Sequence, residues 1–185
     1  MRAILVRRRE LRETSLRLVW LTREEGEVET QARGIRREGK SASLPDLFGV
    51  YLILVSRSQR TSLHTLREYQ LVEDHSGLQR SYTSLQLAAY FVELCHQVSP
   101  PGVAQPEVYD LLENALGFLS AGGESSVRVM ERFELRLAEK LGVVCKNDTR
   151  FATEALVEAG VTFPRLRSVF INSERSERPP GPIKR

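Results

Sequence analysis

Over the first seventy residues, apolar and polar positions alternate with a period of two, the pattern of strands with one face buried. Ala3 to Val6 is a short apolar run close to the start. From Ser15 to Leu21, Leu16, Leu18 and Trp20 share one face while Arg17 lies on the other. From Glu27 to Ala32, Val28, Thr30 and Ala32 point inward, with Glu27, Glu29 and Gln31 outward. Between these runs, Glu24-Glu25-Gly26 reads as a hairpin turn in which Gly26 can take positive φ. Phe48 to Ser56 is apolar and rich in β-branched residues, and Ser62 to Tyr69 follows the polar turn Arg57 to Arg60.

Five short strands in so little chain suit a closed barrel, because closure removes unpaired edges. The oligonucleotide-binding (OB) barrel has this strand count. From Ser81 the period becomes helical. Leu85, Ala88, Val92 and Cys95 form one stripe and Leu87, Phe91, Leu94 and Val98 another, so this helix belongs at the centre of a bundle. Ser99-Pro100-Pro101-Gly102 stops it. Pro106 opens a second helix running to about Leu119 and ended by Ala121-Gly122-Gly123. Ser125 or Ser126 caps a third, reaching Leu141, with Met130, Phe133, Leu137 and Leu141 toward the core and Gly142 at its end. A fourth spans roughly Thr149 to Ala159 before Gly160. Beyond Asn172, three prolines, many charges and no apolar period predict a disordered tail. The predicted class is α+β: a five-stranded OB-type β-barrel over 1–75, a helical domain over 76–171 and the tail over 172–185.

Composition agrees with a folded core, at 41% hydrophobic and 28% charged residues. The longest apolar stretch, Val50 to Val55, is far below the roughly 20 residues of a membrane span. Residues 1–20 carry six arginines and no secretory h-region, so the expected location is the cytoplasm. Cys95 and Cys145 stand apart, and with His64, His75 and His96 scattered they assemble no metal site; no cofactor is expected. The net charge of +3 is segregated. Residues 1–40 hold eleven Arg/Lys against seven Asp/Glu, 81–127 hold five acids and no Arg or Lys, and 128–185 hold twelve cations against eight acids. A polyanion is attracted to the two ends and repelled by the middle, although arginines scattered on solvated faces give the same totals.

Several fragments share the order and spacing of one family. Glu13-Thr14-Ser15-Leu16, Leu21-Thr22-Arg23-Glu24-Glu25-Gly26, Ala32-Arg33-Gly34-Ile35-Arg36-Arg37 and Lys40-Ser41 resemble the opening of RecO proteins. Leu63-His64-Thr65-Leu66-Arg67-Glu68 is similar to that family's fifth barrel strand, and Arg132-Phe133-Glu134-Leu135-Arg136-Leu137 with Leu141-Gly142 resembles its signature helix. The resemblance covers residues 3 to about 145. It implies a bacterial, nucleoid-associated DNA-repair and recombination mediator that binds single-stranded and duplex DNA and anneals complementary strands. It also implies two partners: the C-terminal tail of single-stranded-DNA-binding protein, and RecR, with which the family loads RecA. Many members carry four cysteine-type zinc ligands after the position of Gly142. Here only Cys145 stands near the first of them and the chain reaches its end within forty residues, so zinc is not carried over.

Candidate chemistry falls in three places. Arg33 to Lys40 places Arg33, Arg36, Arg37 and Lys40 beside two glycines, and guanidinium forks on a pliable loop suit phosphate contact. A solvated loop partly neutralised by Glu38 is the plainer alternative. Arg7-Arg8-Arg9, with Arg12, extends that patch, diluted by Glu10 and Glu13. For base stacking the candidates are Trp20, Phe48 and Tyr51, of which Trp20 shares its face with the core positions Leu16 and Leu18. On the third helix, Arg128, Arg132, Arg136 and Lys140 recur at i+4 beside the stripe containing Phe133. That ridge reads as a salt-laced solvated face or as a groove for an acidic, apolar-tipped peptide.

The sequence lacks GxxxxGK[ST], GxSxG and HExxH, and no carboxylate pair sits in a recognisable frame, so a non-enzyme without a small-molecule substrate is expected. The competing reading is a non-catalytic protein–protein adaptor whose barrel no longer binds DNA.

Overall fold

The computed structural model describes residues 1–12, 15–33, 44–145 and 151–177, leaving the side chains of Arg12, Arg33 and 173–177 aside. Five strands form a closed barrel: β1 (Arg2–Arg12), β2 (Ser15–Thr22), β3 (Gly26–Arg33), β4 (Val50–Ser56) and β5 (Leu63–Glu73). Their order around the barrel is β1-β2-β3-β5-β4, closing through antiparallel β1–β4 pairing, while β3 and β5 pair in parallel. The predicted α+β class and barrel are therefore present. A single-turn 3-10 segment (Ser76–Arg80) leads to α1 (Tyr82–Val98), α2 (Pro106–Ser120), α3 (Val127–Lys140), α4 (Ala152–Glu158) and α5 (Leu166–Glu177).

Alternation explains the barrel interior. Leu5, Leu16, Leu18, Trp20, Ala32, Tyr51, Ile53 and Leu66 form one buried cluster. Trp20 is fully enclosed, and its indole N–H donates to Thr30 Oγ1 at 2.8 Å, satisfying the one polar atom it brings inside. The continuous run Ala3 to Val6 has another meaning: both faces of this part of β1 are covered. Ile4 and Val6, with Val19 and Leu21 of β2 and Val50 of β4, belong to the same buried cluster as Leu87, Phe91, Tyr109 and Leu116 of the helices. Barrel and helices thus share a core across the outer face of β1 and β2.

The two parts are also joined by charge. Arg2 donates to Glu113 from Nε at 2.9 Å and Nη2 at 2.6 Å, Arg7 reaches Glu93 at 2.7 Å, and Arg23 grips Asp110 at 2.8 and 3.1 Å. The acidic stretch that sequence reasoning assigned to repelling a polyanion is thus partly taken up by barrel arginines. The β2–β3 turn holds Arg23 in place. Gly26 adopts φ +65°, and a Cβ there would lie 2.4 Å from the Pro100 carbonyl oxygen and 2.6 Å from that of Val103. The turn therefore lies flat on the α1–α2 loop, where the Gly102 N–H also donates to the Glu25 carbonyl at 2.9 Å.

Several boundaries differ from expectation. Phe48 does not begin β4; it is a buried left-handed residue with φ 68°, held by its N–H to the Leu5 carbonyl and by His75 Nδ1 on its own carbonyl. Leu85, placed on a core stripe, is 36% exposed. Ser126 occupies the N-cap of α3, but its hydroxyl makes no capping bond and has no partner among the described residues. α5 was not anticipated, and it runs past Asn172 to Glu177, covering the first six residues of the expected tail. No proline occurs there before Pro179. Buried Glu134 of α3 helps hold this helix, receiving Arg167 Nε at 2.9 Å and Nη2 at 3.0 Å.

Candidate nucleic-acid and peptide interfaces

Register brings the basic segments of the barrel together. Past a bulge between Leu5 and Arg7, the outer half of β1 pairs with β2, so that Arg9 lies opposite Arg17 and Arg12 opposite Ser15. Across the next ladder Ser15 lies opposite Arg33. One rim of the barrel therefore carries Arg8, Arg9, Arg12, Arg17 and Arg33 on three adjacent strands. Like charges placed directly opposite, as in Arg9 and Arg17, destabilise a sheet. Glu29 pairs with Arg17 and relieves part of that cost; Arg9 is exposed and has no ion-pair or hydrogen-bond partner among the described residues. Arg8, also exposed, donates to the Pro45 carbonyl at 3.0 Å.

The candidates thus separate. Arg8 and Arg9 face solvent at the rim, whereas Arg7, at 33% side-chain exposure, is held by Glu93 at the barrel–helix junction. Arg33 ends β3 at the same rim. Arg36, Arg37 and Lys40 lie outside the described residues. Trp20 is core, as its shared face with Leu16 and Leu18 predicts, while Phe48 and Tyr51 are corrected as stacking candidates. Trp20, Phe48 and Tyr51 are all buried, Trp20 and Tyr51 packing edge to face with centroids 5.6 Å apart, so none offers a free ring to a base. Trp20 and Tyr51 fill the barrel, whose small bore needs large side chains, and Phe48 packs in the core shared with the helices.

A second site lies on the helices. Glu107 at the start of α2 meets Lys140 at the end of α3 at 3.3 Å, so the two helices run antiparallel. Between them is a groove of about 650 Å³. Phe91 and Phe133, stacked with centroids 3.9 Å apart, contribute to its floor, and half-exposed Phe118 and partly buried Val129 line it further along. The sequence-predicted residues Arg132, Arg136 and Phe133 all line it, while Arg128 does not. Arg132 and Arg136 are exposed and have no partner among the described residues.

The groove also has acids, of which the two from α2 were not anticipated beside the ridge. Glu107 and Asp110 line it from α2 and Glu139 from α3, matching Arg132, Arg136 and Lys140 in number. Asp110 is held below the usual carboxylate range, first by the Arg23 hydrogen bond and then by the positive charges of Arg23, Lys140 and Arg2, opposed by partial burial. Nothing local in the sequence links Arg23 to Asp110, 87 residues away.

Among the described residues, no three His, Cys, Asp or Glu side chains stand together as metal ligands, and no helix is long and apolar enough to cross a membrane. Cys95 is fully buried, and burial pushes its thiol up, away from the reactive thiolate form.

Comparison with known proteins now decides the family. The N-terminal domain of recombination protein O matches residues 1–75, and its C-terminal domain matches residues 79–183. The chain belongs to the RecO family. Curated relatives named DNA repair protein RecO include one from Syntrophotalea carbinolica, 34% identical over 145 residues, covering 74% of this chain and 55% of the relative. Another, from Methylococcus capsulatus, is 33% identical over 140 residues, covering 76% and 56%. That from Symbiobacterium thermophilum is 31% identical over 140 residues, covering 75% and 54%. The matched part of the chain spans about half the length of these RecO relatives.

Proposed function

We propose that this RecO-family chain is a non-catalytic recombination mediator that binds single-stranded DNA through the basic rim of its barrel. The observation that supports this most strongly is the register that gathers arginines from β1, β2 and β3 at one rim, with Arg8 and Arg9 exposed. Arg33 leads from that rim into the segment carrying Arg36, Arg37 and Lys40, which completes the phosphate-binding set. With Trp20, Phe48 and Tyr51 buried, affinity rests on counterion release and is indifferent to base sequence. Duplex DNA, with its denser charge, binds the same rim.

The α2–α3 groove, in the same reading, receives the acidic C-terminal tail of single-stranded-DNA-binding protein. Arg132 and Arg136 meet its carboxylates, and the Phe133 slot takes its apolar end. Holding DNA and this tail together positions the protein to anneal strands and, with RecR, to load RecA in the bacterial cytoplasm, on the nucleoid. A mobility shift of labelled oligonucleotide at low salt tests the first half. A retarded band is expected. An unshifted band, with peptide binding intact, favours the adaptor reading instead.

A further inference from the structure

Counted by residues alone, the α2–α3 groove has no preference for an anion: three acids and three cations line it. What distinguishes the two signs is which charges are already engaged. Lys140 is paired with Glu107 across the groove at 3.3 Å. Asp110 is gripped by both Nε and Nη2 of Arg23, which stands on the barrel and does not line the groove. Glu139 also has an interaction partner. The charges left over are Arg132 and Arg136, both positive. The anion preference of the groove therefore depends on a side chain donated by another part of the molecule.

We infer that Arg23 is a specificity-determining residue of the peptide groove, acting through Asp110 rather than by touching the ligand. This deepens the proposed role of the groove and rests on it. Without Arg23, the Asp110 carboxylate stands bare on the groove wall and repels the carboxylates that Arg132 and Arg136 attract. The arrangement is built rather than incidental. The β2–β3 turn is pinned against the α1–α2 loop by Gly26, whose positive φ and close approach to the Pro100 and Val103 carbonyls admit no side chain. The Arg23 N–H is further tied to the Arg2 carbonyl at 3.3 Å. A flexible exposed arginine is thereby delivered to one carboxylate with both nitrogens aligned. The pair is nearly half exposed, so its influence on the groove is modest and screened by salt.

The test is a titration of the intact chain with a labelled synthetic peptide bearing several aspartates and a C-terminal phenylalanine. Four proteins are compared at low and high salt: wild type, Arg23→Gln, Asp110→Asn and the double variant. Arg23→Gln is expected to weaken binding about threefold at low salt and very little at high salt. Asp110→Asn binds at least as tightly as wild type, and in the Arg23→Gln background it restores wild-type affinity. Failure of wild type to bind the peptide removes the groove reading itself, and the inference with it. Binding by wild type that Arg23→Gln leaves unchanged overturns the inference alone. Weakening that Asp110→Asn does not rescue also overturns it, because Arg23 then acts through the fold.

Discussion

At the scale of single residues, Glu134 shows most clearly what packing demands of charge. It is 1% exposed and accepts hydrogen bonds from Tyr90 Oη at 2.6 Å and from two nitrogens of Arg167. Burial pushes the Tyr90 hydroxyl far up, reinforced by the neighbouring carboxylate, so it remains a donor. Removing one partner of a buried pair leaves the other uncompensated. Arg167→Leu should therefore destabilise the fold by roughly 3 kcal/mol, at the low end for a buried pair because Arg167 keeps 23% exposure. Denaturant unfolding measures this, and the companion variant Glu134→Gln/Arg167→Met should regain most of the loss; a loss below about 1 kcal/mol would show that the pair is effectively solvated. The signal was present in the sequence: Glu134 falls four residues after Met130 and three before Leu137, on the apolar stripe itself. Arg132 makes the contrasting case. It is exposed on the groove, so Arg132→Glu should abolish binding of an acidic apolar-tipped peptide while DNA affinity stays within about threefold, the rim residues lying on the barrel and sharing no partner with Arg132. Parallel peptide and oligonucleotide titrations read this out. Loss of both activities, or of neither, removes the peptide from this helix.

Among the elements, those with a clean period were legible and those shaped by distant contacts were not. β3 declared its inside through Val28, Thr30 and Ala32, and all three are buried. α1 declared itself through two apolar stripes from Ser81 onward; that Ser81 caps it, its hydroxyl accepting the Ser84 N–H, is seen only in the structure. Only four residues of β1 are legible as strand, because its outer half is the polar run Arg7 to Arg12, which pairs with β2 without an apolar face to announce it. α5 was missed because its fixing contacts, Arg167 on Glu134 and Phe170 in the core, come from elsewhere in the chain. That polar half of β1 carries its own prediction. Arg8→Ala/Arg9→Ala should lower the steepness of the salt dependence for single-stranded DNA by roughly 1.4, about 0.7 for each phosphate no longer neutralised. The strand should remain paired, since its ladder is made by backbone groups. An unchanged slope would place the DNA elsewhere.

For the whole molecule, the segregated charge of the sequence acquires two functions. Part of it stitches the barrel to α1 and α2 through Arg2, Arg7 and Arg23. Another part, Arg8 and Arg9 at the barrel rim and Arg132 and Arg136 on α3, is exposed and forms no ion pair among the described residues. Sequence totals could not separate these uses, because pairing partners such as Arg2 and Glu113 lie 111 residues apart. The exposed part is what makes a DNA-binding role physically reasonable, and it is tested by titrating a labelled oligonucleotide with the intact chain at several salt concentrations. The account predicts tight binding at low salt, with the logarithm of affinity falling linearly against the logarithm of salt at a slope of about −3 to −4, as for roughly five phosphates neutralised on a single strand. Absence of binding at low salt, or an affinity that does not change with salt, would contradict it.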